Sequence, residues 1–257
     1  MTTATQGVRL IEQARQKLKE LVSEHDLERE DVLLEVKPLD RNQAIGDTAR
    51  PDLPLVTGEE NLIEAHIMGS RGQAFTDSRA HFRGSLRSVL SLPLDTNYQR
   101  SILLATLNAA CAHFKLVGAV VHCVEDNPDK CGREMADSLL RAHGKTTVGL
   151  VGYNPAIAEH LSAALGPDHV KIADLRPRHI GQTRFGAEIW DANTRSGELV
   201  DCVDTVLLTG TTLVWNTADD VIIRCQERNK PHYFFGVTAA AVSHLCGINR
   251  LCPFGRM

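Results

Sequence analysis

From Thr146 onward the chain alternates short apolar runs with segments of helical spacing, and few architectures tolerate that pattern. Thr147–Val151, Val170–Ala173, Val206–Leu208 and Tyr233–Phe235 read as strands. Pro155–Leu165, residues 218–228 and Ala239–Cys246 read as helices. Asn154-Pro155 opens the first of these helices, and Gly247 is placed to end the last. Strands separated by helices give a mostly parallel sheet with both faces covered, because each parallel crossover needs a helix-length connection. The expected class is α/β with a Rossmann-like plan. The dinucleotide fingerprint is missing, since the first strand-to-helix turn reads Val151-Gly152-Tyr153-Asn154-Pro155 rather than G-x-G-x-x-G. Asp174 closes the second strand, where such folds often hold a ribose.

The earlier part of the chain has another texture. Leu10, Ala14, Leu18 and Leu21 mark an amphipathic helix over residues 7–25. Val32–Val36 and Leu62–Ile67 look like strands, the second alternating as a half-exposed sheet requires. Residues 38–58, with three prolines, read as loop or edge hairpin. A helix over 97–116, a short strand at Ala119–His122, a turn at Asn127-Pro128 and a helix over 129–142 follow. The expected division is a smaller α+β unit over residues 1–143 and the Rossmann-like unit over 144–257.

Composition narrows the functional classes. At 257 residues with 43% hydrophobic content the chain can bury two cores. Its 28 basic and 32 acidic residues form no long run of either sign, so neither a nucleic-acid nor a membrane surface is expected. The first residues lack a basic then apolar leader pattern, and no segment has the ~18 apolar residues that span a bilayer. The chain reads as cytoplasmic, and its seven cysteines as reduced thiols rather than a disulfide framework.

Ligands of open α/β sheets bind beyond the carboxyl ends of the strands. There the run Val206–Leu208 empties into Thr209, Gly210, Thr211 and Thr212, with Asn216 or Thr217 placed to cap the next helix. Three threonines around a glycine offer hydroxyls and backbone N–H groups with little apolar bulk; a Thr-rich helix cap is the alternative. Gly152–Asn154, Asp174 and Gly236–Thr238 should share that edge, giving a cleft suited to a polar small molecule. In the first half, Gly69–Asp77 is expected to be a loop after a strand. Its Gly72 would let backbone approach a ligand, with Gln73, Thr76 and Asp77 as polar tips. A connecting loop with an Asp or Thr cap explains it equally well.

Cys111, His113, His122, Cys123 and Cys131 lie close in sequence. On a helix Cys111 and His113 are about 200° apart, and on a strand His122 and Cys123 face opposite sides, so neither pair shares an ion. No C-x-x-C closes a local zinc knuckle. A site completed from the other half, by Cys246 or Cys252, stays open, and core packing is the alternative for every thiol. Cys123 and Cys131 also qualify as reactive thiols if a cation lowers their pKa. No Ser-His-Asp order, His-Glu-x-x-His helix or P-loop appears.

Val148-Gly-Leu-Val-Gly-Tyr153, Thr209-Gly-Thr-Thr-Leu-Val-Trp-Asn-Thr217, Gly236-Val-Thr238 and Arg250-Leu-Cys252-Pro together resemble the heavy-metal chelation family, long catalogued as a domain of unknown function. Gly69–Asp77, the Leu107-Asn108-Ala109 helix and His122-Cys123…Asp126-x-Pro128-Asp-Lys-Cys131 resemble its N-terminal part, so the resemblance spans roughly residues 60–257. It implies a first domain similar to the N-terminal domain of enolases, a Rossmann-like second domain, and a ligand cleft between them. Trp215 stands where the pattern suggests a smaller residue.

The leading expectation is a protein binding a polar small molecule, a heavy metal or a metal chelate in that cleft. Thr209, Gly210, Thr211, Thr212, Asn216 and Asp174 would hold the ligand, with Gly72, Gln73, Thr76 and Asp77 reaching from the other half. His122, Cys123 and Cys131 are the candidate ligands of a transition metal ion of open identity. An enzyme processing a metal-chelating or nucleotide-like molecule is the second reading. A non-catalytic homo-oligomeric scaffold is the third.

Overall fold

The computed structural model describes residues 9–25, 33–78 and 81–257, in two sheets. Helix α1 (Arg9–Glu24) buries Leu10, Ile11, Ala14, Leu18 and Val22, the face its periodicity marks. Strand β1 (Leu33–Pro38) leads into two short helices, α2 (Arg41–Ala44) and α3 (Pro54–Thr57), where loop or edge hairpin was expected. Local chemistry explains both. Asp40 and Gln43 form a capping box on α2, and Pro54 supplies the fixed φ of a first helical turn on α3.

Strands β2 (Asn61–Ile67) and β3 (Ser70–Thr76) then form a hairpin, turning at Met68 and Gly69 with φ of 46° and 77°. With β4 (Phe82–Ser85) they complete an antiparallel sheet of order β3-β2-β1-β4. The segment Gly69–Asp77, expected as a loop, is therefore mostly strand. β2 is not half-exposed as its alternation suggests, because Ile45, Leu53 and Leu55 from the α2–α3 segment cover its second face beside Leu62.

Helix α4 (Leu86–Leu90) precedes α5 (Asn97–His113), which is capped by Thr96 and Gln99 and lies on β3 and β2. Residues 100–111 of α5 are buried on every side, since the second half of the chain covers its outer face. Asn108, fully buried, joins the two halves: its Nδ2 donates to Gln73 O (2.8 Å) and Val237 O (3.0 Å), and its Oδ1 accepts from Ala241 N (2.8 Å). The expected strand at Ala119–His122 reduces to a single bridge between Val121 and Arg256.

The second sheet contains β5 (Val148–Val151), β6 (Val170–Asp174), β7 (Thr183–Arg184), β8 (Ala187–Asp191), β9 (Thr205–Thr209), β10 (His232–Phe235) and β11 (Arg250–Leu251). Their order is β11-β10-β9-β5-β6-β8-β7, parallel except for β7. Helices α6 (Asn127–His143) and α7 (Pro155–Leu165) pack together on one face, over Val148, Leu150, Ile172 and Leu207. Helix α8 (Ala192–Cys202) and α10 (Ala218–Glu227) cover the other face, where Val206 and Leu208 join a core continuous with α1 and α5. α6, counted with the first half in the sequence reading, thus packs on the second sheet. β8 and α8 carry too little apolar signal to read in the sequence; α8 buries only Leu199 and Val200 and is capped by Asp191. The short helix α9 (Thr211–Val214) and α11 (Ala240–Cys246) complete the fold, with Gly247 in the left-handed cap expected of it. Among the described residues, no helix is long and apolar enough to cross a membrane.

Candidate functional site

The carboxyl ends of β5, β6 and β9 face residues flanking β2 and β3, and a cavity of about 350 Å³ opens between them. Glu59, Glu60 and Asp77 line it from the first half. Tyr153, Arg176 and the threonines after β9 line it from the second. Trp215, 42% exposed, sits at its rim.

The Thr-Gly-Thr-Thr turn is held by its own backbone and neighbours. Gly210 donates its N–H to Phe235 O (2.9 Å), and a Cβ there would lie 2.7 Å from Ala239 N, so the turn requires glycine for close approach. Thr212 donates to Thr209 O (2.6 Å), which fixes its rotamer. Thr211 Oγ1 donates only to Thr209 Oγ1 (3.1 Å), and both line the cavity. These two hydroxyls keep acceptor capacity toward a ligand.

Asp174 also lines the cavity, but protein donors fill its carboxylate: Tyr153 N (2.7 Å), Arg176 N (2.8 Å) and His179 Nδ1 (3.1 Å). Burial alone would push its pKa up; His179 and the two N–H groups outweigh that and hold it below the usual carboxylate range. These three bonds tie the loops after β5 and β6 to its carboxylate. Arg176 crosses the cleft to Glu60 (2.8 Å) and Glu59 (3.2 Å), and Arg178 reaches Glu59 (2.6 Å). Burial pushes the Glu60 carboxyl up while Arg176 pulls it back, and the net direction is up.

A second chamber of about 80 Å³ adjoins the first through Asn154, Thr209 and Thr211. It is mainly apolar, walled by Met135, Ile157 and Phe235, and it is lined by Cys123, Cys131, Cys252 and His122. The neighbouring Cys123 thiol, and then burial, push the Cys131 thiol up to about 12. Burial pushes His122 down to about 4, leaving a neutral ring whose Nδ1 lies 3.3 Å from Ala44 O. Among the described residues, no three His, Cys, Asp or Glu side chains are disposed to hold a metal ion.

The remaining sequence candidates lie elsewhere. Gly72 packs on α5, where a Cβ would come within 2.2 Å of Ala109 N. Gln73 is buried, donating to Glu64 Oε2 (2.7 Å) and accepting from His122 N (2.7 Å). Thr76 is buried beside Asp77, whose Oδ2 accepts from Asn97 Nδ2 (2.7 Å). Asn216 adopts φ 58° before α10 and does not line either chamber. Cys111 is isolated inside α5, pushed up to about 12 by burial. Sequence reasoning missed Glu59, Glu60 and Arg176, because loop charges carry no signal of a partner in another segment. Cys252 was named only as one way to complete a thiol site.

Residues 134–249 match the model of a family, DUF364, described as "Putative heavy-metal chelation". The resemblance read from the C-terminal motifs is shown over that range. A crystal structure of a DUF364-family protein of unknown function from Pyrococcus horikoshii is similar, with TM-score 0.52 and 13% identity. The similarity covers 90% of this chain and 80% of that one. Another DUF364-family structure, of a protein of unknown function from Desulfitobacterium hafniense, has TM-score 0.46 and 18% identity, covering 73% of this chain and 72% of that one. Among curated proteins none matches significantly. At such identity the Pyrococcus structure supports the two-sheet α/β fold alone.

Proposed function

We propose that the chain binds a polar small molecule or a metal chelate in the cleft between its two sheets. The observation that carries this reading is the 350 Å³ cavity at the carboxyl edge of the parallel sheet, lined from both halves. Its lining mixes hydroxyls (Thr209, Thr211), carboxylates (Glu59, Glu60, Asp77) and the exposed indole of Trp215. Hydroxyls and carboxylates suit a ligand rich in oxygen and nitrogen groups, and the indole offers a stacking face at the entrance. The family description, heavy-metal chelation, agrees with a metal-bearing ligand and is the support for a metal. Thr211→Ala and Asp77→Ala together should abolish capture of a chelate or metabolite while leaving the fold intact. Unchanged affinity in an isothermal titration with the captured compound would sink the reading.

One observation favours the second reading, an enzyme. Glu60 borders both chambers, and burial holds its carboxyl above the ordinary range, which suits proton transfer to a bound molecule. If so, Glu60→Gln removes turnover of the captured compound but keeps its binding; equal turnover in the variant rejects catalysis by Glu60.

A further inference from the structure

The small chamber is an apolar annex of the polar cavity. Leu53 and Leu55 of the α2–α3 segment, Met135 of α6, Ile157 of α7, Phe75 of β3 and Phe235 of β10 supply most of its wall. Pro54, Glu60, Asn154, Thr209, Thr211 and Phe235 line chamber and cavity alike, so the two spaces share a neck. The α2–α3 segment is clasped to the helices beside it. Arg50 reaches Asp129 on α6 (2.8 Å) and Glu159 on α7 (2.6 Å), and the N–H of Ala49 donates to Asp126 Oδ1 (3.1 Å). These bonds hold the wall together and set the size of the space.

Chemistry points to an apolar occupant. Thr238 and His122 line the chamber but not the cavity, and both have protein partners: the Thr238 hydroxyl accepts from Phe75 N (2.9 Å), and His122 Nδ1 lies 3.3 Å from Ala44 O. Cys123 and Cys131 are buried thiols, which behave as small apolar groups. A water molecule needs about two to four polar partners and finds few here. An empty apolar cavity costs stability in proportion to its volume, whereas an apolar group placed in it restores the missing contacts. Size limits that group. The 80 Å³ chamber is about half of the ~150 Å³ that admits benzene, which leaves room for about three or four carbons. The neck decides what the group is attached to, because the Thr209 and Thr211 hydroxyls and the Glu60 carboxyl border it.

We propose that the ligand of the cleft has two parts, a compact polar head in the 350 Å³ cavity and an alkyl arm of about three or four carbons in the small chamber. The inference rests on the cleft reading and adds the substrate class: a short-chain alkyl or acyl compound with a head of oxygen and nitrogen groups. Met135 and Ile157, which line the chamber alone, then set the length of arm that is accepted.

The test is a titration of the full-length chain with straight-chain alkyl hydroxamic acids, R–CO–NHOH, with R of about one to six carbons, followed by NMR of methyl-labelled methionine. Met135 lines the chamber, whereas Met68 lies at the β2–β3 turn and Met257 at the chain end. Affinity should rise about fourfold with each carbon, the worth of one buried methylene, until R has about three or four, and then stop rising. The Met135 methyl signal should move with the longer members while those of Met68 and Met257 stay. Cys123→Leu, which fills the chamber, should abolish the dependence on chain length. Met135→Ala, which enlarges it, should shift the preferred arm to about five or six carbons, and it decides should Cys123→Leu fail to fold. No rise with chain length, a still Met135 signal, or an unchanged optimum in Met135→Ala overturns the inference. The Thr211→Ala, Asp77→Ala double variant separates it from the cleft reading. Head binding unaltered there, with the length dependence intact, would refute the cleft as the head's site and leave the chamber standing as the arm's. A one-carbon member that binds the native chain and is lost in the double variant, with no gain from longer arms, would do the reverse.

Discussion

Gly69–Asp77 and Thr209–Thr212 are alike in the sequence, each a polar stretch around glycine at the end of an apolar run, and the fold uses them differently. In both, the glycine serves close backbone approach: Gly72 to α5, Gly210 to the start of α11. The difference lies in what the polar side chains meet. Gln73 is consumed inside the protein by Glu64 and the N–H of His122, whereas Thr209 and Thr211 find mainly each other and border a cavity. A polar stretch that topology leaves at an open strand end keeps its side chains at a cavity. A stretch inside a covered hairpin becomes structure.

The sharpest way to break this contrast is Gly72→Ala. Its Cβ would meet backbone of Ala109 and Asn108 at 2.2 and 2.6 Å, so α5 must move as a body. The expected loss in urea denaturation is about 3 kcal/mol or more. At Gly236, φ is 83° but nothing lies within 4 Å, and alanine there should cost only about 1–2 kcal/mol of backbone strain. Equal costs would show that α5 does not rest on β3 as described.

Next in size is Gln73→Ala, which leaves Glu64 and the His122 N–H short of a buried partner. It should cost about 2 kcal/mol yet leave chelate affinity within about twofold. A large affinity loss at unchanged stability would return Gln73 to the ligand site.

Asp174→Asn should cost about 1–3 kcal/mol at neutral pH, since the amide cannot accept from all three donors. The sign with pH follows from the lowered carboxyl. Its contribution is full above the unfolded value near pH 4 and fades as pH falls through the lower folded value. Thermal melts over roughly pH 3 to 7 should therefore show a shallower acid decline in the variant. An unchanged acid limb would mean that Asp174 is not held ionised by His179.

The smallest expected effect on stability is that of Thr211→Ala, within about 0.5 kcal/mol, because its hydroxyl bonds only Thr209. Affinity for the captured ligand should still fall about tenfold, the worth of one hydrogen bond.

How much of this was legible follows from burial and from chain distance. Strands β5, β6 and β9 are covered on both faces, so they read as continuous apolar runs, and the parallel sheet follows from them. The threonine turn was legible because a strand end fixes its place in the topology. α8 was not, since it is half-exposed and anchored by little beyond Leu199 and Val200. Nor was the strand character of Ser70–Thr76, because a glycine that admits a helix looks like a glycine that admits a ligand. Glu60 and Arg176 form a pair across the fold, and no local spacing encodes it.

The central claim is that the cleft between the sheets is a ligand site completed by both halves. Its most direct measurement is native mass spectrometry after exposure of the native chain to a panel of polar metabolites and of iron(III) and copper(II) chelates. One adduct per chain is predicted, retained in Gln73→Ala and lost in the Thr211→Ala, Asp77→Ala double variant. An adduct that survives in the double variant, or no adduct from any member of the panel, would contradict the account.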